Sequence, residues 1–512
     1  MFQLTHFEEP LLLFRYDQAV EDPRDGLTLF GPLLPHPHGI KAGVVGTEAG
    51  IDRFRHWCEK IQNVIPPVDP DDEQFCLSHP PFPGFESAFR VPWDPEPAIV
   101  FPLKSEELDC IYIQNAHERV FKTVDVYANR IIKGVKEEDP KVDVWFVVAP
   151  DAVHRYCRPK SRVESQKALP GSLRVSPQMG RKLSSEGSLF AELLIDAEPY
   201  NYEPNFHNQL KARLLSEQLV PVQIIRESTI AHRDFLNAFG RPTRNLDTLQ
   251  PNIAWNICTT AYYKAGGQPW KMAAIRKGVC YIGLVFKRDD RNNDNRMACC
   301  AAQMFLDSGD GVVFKGAVGP WYSAERGEFH LDIAAAKNLV ERAIKTYKEL
   351  DQRRGGNGDP PSELFIHGKA RFMNGEWDGF LQAASSNTKT VGVQIRTAKM
   401  LKLYRDGDYP TLRGLAFLES DRKAYLWTHG FIPRAQNYLG KEVPNGLLVD
   451  VCRGEADLQV VLKDIMALTK LNYNACRFSD AQPVTLRFAD AVGEILTAGP
   501  VENPPSSFKY YI

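Results

Sequence analysis

The sequence predicts an α/β protein in two parts, and three observations carry that prediction. The first half alternates short β-branched apolar runs with amphipathic helical stretches, the pattern of a parallel sheet covered by helices. The second half opens on three or four apolar strands, passes through one strongly amphipathic helix, and then mixes strands with helices. Breaks rich in Gly and Pro separate these elements throughout.

In order, residues 26–33 (GLTLFGPL) and 41–47 (KAGVVGT) read as buried strands. Residues 49–62 read as a helix with Ile51, Phe54 and Cys58 inside. The proline-rich stretch 66–102 is expected to be largely loop and extended chain. Helix resumes over 106–133, and 141–150 (KVDVWFVVAP) is the clearest buried strand. Between His154 and Lys182 stand eight Lys/Arg and one acid, Glu164, which fit either a surface loop or a basic wall along a nucleic-acid backbone.

In the second half, 278–288, 297–306 and 307–316 read as strands, the last with a Gly-rich turn. Residues 329–350 form a helix with Leu339, Ala343 and Tyr347 on one face. Strands follow at 362–368, 390–396, 411–420, 423–431 and 445–454, with a helix at 377–384 and two closing helices at 457–471 and 484–499.

Residues 201–270 hold the candidate site. PNFHNQLKARLLSEQL is a helix with Phe206, Leu210 and Leu214 as its apolar stripe, so His207 and Lys211, four apart, share a face. VPVQIIRE is a short strand carrying Gln223. PNIAWNICTTAYYKAGG is a second helix, with Lys264 in its last turn before Gly266–Gly267. Singly, each residue has an ordinary surface or helix-end explanation. Together, a histidine, two lysines and an amide supply the charge-assisted donors that a terminal phosphate requires.

This series, with Lys264 set in YYKAGGQPW, resembles the 5′-phosphate pocket of the MID domain of Argonaute proteins. Many relatives carry Tyr at the first position, so His207 is a departure. DPRDGLTLFGPL, KAGVVGT, VDVWFVVAP, ACCAAQMFLDSGDGVVFKG, KLNYNAC, PVTLRFAD and FKYYI extend the resemblance, over nearly the whole chain, to short prokaryotic Argonautes built of MID and PIWI domains only. The first block begins near residue 22, so the N and PAZ domains of long relatives are not expected. The resemblance implies a Rossmann-like MID domain over residues 1–250, binding the guide 5′ end, followed by an RNase H-like PIWI domain over residues 251–512.

Slicing relatives hold two metal ions with a carboxylate-rich tetrad. Against their pattern this sequence places Val285 and Gly368 at acid positions, and only Asp490 matches. Glu325 or Glu328 would not restore the pair, so no nuclease is expected and no catalytic residue is assigned. The resemblance further implies that the carboxylate of Ile512 helps to bind Mg2+ at the guide 5′-phosphate. The expected partners are a short 5′-phosphorylated guide RNA, single-stranded target DNA and a TIR–APAZ effector. That effector would form a heterodimer with this chain, oligomerise when target binds, and hydrolyse NAD+ in anti-plasmid or anti-phage defence. Sir2–APAZ and nuclease–APAZ partners stay open, as do a target-slicing enzyme with a rearranged metal site and a guide-independent nucleotide-binding protein. Against the last, no GxGxxG or GxxxxGK[ST] follows a strand.

Composition narrows this further. Lys+Arg 62 against Asp+Glu 64 means that any nucleic-acid surface must be local. Lys369, Arg371, Arg396 and Lys399, which follow strands of the second half, are candidates for duplex contact or plain surface. Asp289, Asp290 and Asp294 lack the Gly and Glu of an EF-hand loop and read as a solvated turn. No apolar run approaches the ~20 residues of a membrane span, and the opening residues lack a secretory signal. Ten cysteines without a CxxC pair fit a reducing cytoplasm better than a disulfide framework.

Overall fold

The computed structural model describes residues 3–36, 38–137, 141–217, 221–274, 276–288, 298–306, 311–318, 321–323, 327–436, 438, 440, 442–501 and 504–512. The chain opens with strand β1 (Gln3–His6) and helix α1 (Pro23–Leu29). Helix α1 corrects the expected strand at 26–33. Asp22 caps it by accepting from the Arg24 amide at 2.9 Å, and Pro23 stands at its first turn, so the local signals start a helix within an otherwise strand-like run.

Strand β2 (Ala42–Thr47), helix α2 (Glu48–Lys60), strand β3 (Ile99–Leu103), helix α3 (Ala116–Glu137), strand β4 (Val144–Ala149), helix α4 (Phe206–Glu217) and strand β5 (Val222–Arg226) build the first layer. The strands form one parallel sheet in the order β3-β2-β4-β5. All six residues of β4 are buried, and their period of two divides the interior into two cores. Phe146 and Val148 join Val44 under α2, where Phe54 lies 4.9 Å from Phe146 between ring centroids. Trp145 and Val147 join Val45 under α3 and α4. The proline-rich stretch carries two short helices, Glu73–Ser78 and Phe85–Phe89, and ends in edge strand β3, where Pro102 is tolerated. The helix expected over 106–133 is instead a 3-10 turn, Ser105–Tyr112, followed by α3. Asn115 divides them, its side-chain oxygen accepting from the amides of His117 and Glu118.

Helix α5 (Gln250–Lys264) leads to a second, nine-stranded sheet. Its remaining strands are β6 (Val279–Arg288), β7 (Ala298–Leu306), β8 (Gly311–Val318), β9 (Glu363–Gly368), β10 (Lys389–Thr397), β11 (Leu415–Leu418), β12 (Lys423–Leu426) and β13 (Leu447–Arg453). The order is β1-β11-β12-β13-β10-β9-β6-β7-β8, with β9 parallel to both β6 and β10. Strand β1 lies within the 1–250 segment of sequence yet pairs with β11 in this second sheet. Helix α6 (Ile333–Arg353) buries Leu339, Ala343 and Tyr347, as its periodicity predicts. Helix α7 (Asn374–Ala383) packs on α6, and helix α8 (Val484–Leu496) crosses β6. That crossing needs Gly283, because a Cβ there would sit 2.0 Å from the Thr485 carbonyl oxygen. The turn expected before β8 falls at 307–310, outside the described residues.

Candidate functional site

Helix α4 is buried on two sides. Phe206, Leu210 and Leu214 enter the Trp145 core, while Ala212 and Leu215 enter the core that continues into the second sheet. Lys211 lies between these faces and is 5% exposed. Its ammonium donates to the carbonyl of Tyr511 at 3.0 Å. Lys264, at the end of α5, is 1% exposed and donates to the Val222 carbonyl at 2.7 Å and the Gln223 side-chain oxygen at 2.6 Å. The His207 ring pairs through Nδ1 with the Asn208 side-chain oxygen at 3.0 Å. The four expected residues are thus brought together by α4, β5 and α5, and the chain's last turn joins them. Tyr511 and Ile512 are buried there.

The electrostatics of this cluster are one-sided. Burial alone brings the Lys211 ammonium down to about 7. Burial, then the charge of Lys211, pushes Lys264 well below its ordinary value. The Lys211 charge, then desolvation and Lys264, lower His207 against its bond to the Asn208 oxygen, although the residue itself is exposed. No acidic side chain offsets either lysine among the described residues. Uncompensated buried ammonium groups are costly, and an anion is the species that would relieve them. A divalent cation needs hard oxygen donors. The 3.0 Å contact between Lys211 and the Tyr511 carbonyl brings the terminal residue, and with it one carboxylate, to this cluster, so Ile512 fits such an ion only if the anion supplies further oxygens.

At the carboxyl ends of β6 and β9 lies a second set of groups. Val285 is 3% exposed, and Gly368 pairs in register with Leu284. His367 is buried, and its Nδ1 meets the Thr485 hydroxyl at 3.0 Å. Asp490, on α8, is bridged by Lys287 at 2.7 Å and Lys369 at 3.2 Å. Burial pushes the Asp490 carboxyl up, but the hydrogen bonds and charges of the two lysines outweigh it and hold the group below its usual range. Val285, Gly368, Lys369, Arg371, Glu328 and Glu376 line a cavity of about 170 Å³. Glu376 is committed within it, accepting from the Leu331 amide at 3.1 Å and the Met373 amide at 3.3 Å. Asp289, Asp290, Asp294 and Glu325 lie outside the described residues.

Of the other duplex candidates, Arg371 is tied to Asp450, while Arg396 and Lys399 are exposed. The basic stretch 154–182 starts in a helix (Asp151–Tyr156), ends in another (Pro177–Glu186), and is partly neutralised by pairs such as Arg174–Glu192. Sequence reasoning missed Arg119. It is buried on α3 and donates to the carbonyls of Ile113, Gln114, Tyr156 and Ser161, fixing the start of that stretch. No local pattern marks a helix arginine for such a role. Also missed was a cleft of about 670 Å³ lined by Lys160, Arg181, Tyr202, Asn208 and Lys287, which runs from α4 to the base of α8.

The four-stranded parallel sheet and the nine-stranded mixed sheet together define the fold class of the Argonaute and Piwi proteins. The whole chain aligns with Clostridium butyricum Argonaute bound to a guide DNA (5′ deoxycytidine) and a 19-mer target DNA, with a TM-score of 0.63 at 16% identity, covering 55% of that chain. Drosophila Piwi matches 99% of this chain with a TM-score of 0.59 at 12% identity. Aa-Ago with externally bound siRNA matches 99% with 0.54 at 13% identity. This chain covers 56% of each of those two, so it spans a little over half the length of the structures it resembles. At such identities the likeness is one of fold. No protein-family model and no curated protein matches the sequence.

Proposed function

We propose that this chain holds the 5′-phosphate of a short guide RNA with His207, Lys211, Gln223 and Lys264, and presents that guide to single-stranded target DNA without cutting it. One observation carries the reading: two buried ammonium groups converge with no acidic side chain beside them among the described residues, in a fold shared with Argonautes. On this reading residues 1–250 act as a MID domain and 251–512 as a PIWI domain of the short form. Base pairing would read the sequence while the protein grips backbone and shape, the division of labour of RNA-guided systems. Mg2+, if bound, would rest on the Ile512 carboxylate and guide phosphate oxygens, and would neutralise charge there.

The absence of cutting is inferred from Val285 and Gly368 at acid positions, and from Asp490 being occupied by two lysines. The output would then lie in a partner chain. Resemblance supports a TIR–APAZ effector that hydrolyses NAD+ once target-bound complexes oligomerise, in a cytoplasmic defence against plasmids and phages. No helix among the described residues is long and apolar enough to cross a membrane.

A second reading, a slicer with a rearranged metal site, draws on Glu328 and Glu376 beside Val285 and Gly368. The backbone bonds of Glu376 weigh against it. Cleavage of a matched target in Mn2+ would revive it.

The decisive experiment compares one short RNA bearing a 5′-phosphate or a 5′-hydroxyl on the purified chain, and repeats the pair on Lys211→Ala and Lys264→Ala. A preference of at least ~1.5 kcal/mol, near tenfold, is expected and should vanish in both variants. Equal affinities in the unmodified protein would remove the anchor of the proposal.

A further inference from the structure

Parallel strands bind ligands beyond their carboxyl ends, and β6 and β9 are a parallel pair. At that edge two ammonium groups share one carboxylate, a Lys287–Asp490–Lys369 bridge. Lys287 has a second acid, Glu494, at 3.1 Å. Lys369 has none among the described residues other than the Asp490 oxygen, and its side chain is 44% exposed. Gly368 contributes no side chain beside it, so the cavity of about 170 Å³ opens against Lys369 and Arg371. On the other side, Lys287 lines the larger cleft that also contains Asn208, the neighbour of His207. Cations therefore line both the cleft beside α4, which Glu203 and Glu494 also line, and the cavity at the ends of β6 and β9.

We propose that Lys287 and Lys369 hold a backbone phosphodiester of the bound nucleic acid, with Asp490 as an internal counter-ion that competes with it. This deepens the guide-dependent reading and rests on it. Two fixed ammonium groups bind a phosphate oxygen by charge and hydrogen bonding, as bound divalent ions would. They carry no water to activate and no open coordination position, so they grip the strand without hydrolysing it. Asp490 keeps the pair oriented in the free protein and gives up part of its bonding when the phosphate arrives. Grip at this point should accordingly be independent of divalent metal and sensitive to salt.

The test uses the full chain with its co-expressed partner, in excess EDTA. It measures affinity for a 5′-phosphorylated guide RNA, and affinity of the guide-loaded complex for a matched single-stranded DNA. Lys369→Ala should weaken one of these about tenfold and reduce its salt slope by about one, and the arm affected identifies the strand held. Asp490→Asn, which removes the competing carboxylate while keeping its shape, should strengthen the same arm. The proposal is overturned if Lys369→Ala changes neither affinity nor slope. It is also overturned if Asp490→Asn weakens binding in the arm that Lys369→Ala affects. Failure of the underlying reading is separate, because the unmodified protein would then show no preference for a 5′-phosphate.

Discussion

Lys211 and Tyr511, three hundred residues apart in sequence, meet through a 3.0 Å bond from ammonium to backbone carbonyl. The contact joins helix α4 of the parallel sheet to the last turn of the chain and holds a charge in the protein interior. Neither partner neutralises the other, since a carbonyl offers only part of a charge.

The ligand-free protein should therefore be stabilised by Lys211→Met. Lys211 sits at about 7 when folded and near ~10.4 when unfolded. Between those values only the unfolded chain binds the proton, so stability rises with pH across that window. Below about 7 the folded state bears the full cost of the buried charge. Chemical denaturation at pH 6 should show the variant more stable by on the order of a few kcal/mol, with the difference shrinking toward pH 10. A variant less stable than the original at pH 6 would contradict the account.

Binding of a phosphorylated guide should take up protons. A phosphate beside Lys211 favours its charged form, so near pH 7.5 the complex carries more protons than its free components. Calorimetry in two buffers of different ionisation enthalpy should give different observed heats, and Lys211→Met should remove most of that difference. Guide affinity should fall as pH rises above about 7.

Glu9→Gln should destabilise the protein by about 3–5 kcal/mol. Glu9 accepts from Arg413 at 2.8 Å and from Lys470 at 2.7 Å, and both cations are buried. Burial raises the Glu9 carboxyl, but the charges and bonds of Arg413 and Lys470 outweigh it and lower it overall. The carboxylate thus contributes stability that is present above its unfolded pKa and lost as pH falls through the lower folded value. Urea midpoints measured from pH 7 down to pH 3 should lose part of their acid dependence in the variant.

Gly283→Ala should cost about 1–3 kcal/mol or more, because the new methyl meets the Thr485 carbonyl and must push α8 off β6. A thermal melt reads this directly, and an unchanged midpoint would mean that the crossing of α8 over β6 is looser than described.

Much of the fold was legible in local pattern. The spacing of Phe206, Leu210 and Leu214 located α4, the apolar run of Val144–Ala149 located β4, and Leu339, Ala343 and Tyr347 located α6. Two local readings failed for local reasons: Asp22 and Pro23 start a helix where hydrophobicity suggested a strand, and Asn115 splits a helix that periodicity left whole.

By itself the sequence determined which side chains could form the candidate cluster, since four-residue spacing places His207 and Lys211 on one helix face. Only the tertiary structure decided that Lys211 and Lys264 are buried with no acidic side chain beside them among the described residues, that the Tyr511 carbonyl meets Lys211, that β1 crosses into the second sheet, and that Lys287 and Lys369 share Asp490. The reason is physical: periodicity is a property of neighbours along the chain, whereas desolvation and charge pairing are set by groups that folding brings together from hundreds of residues away.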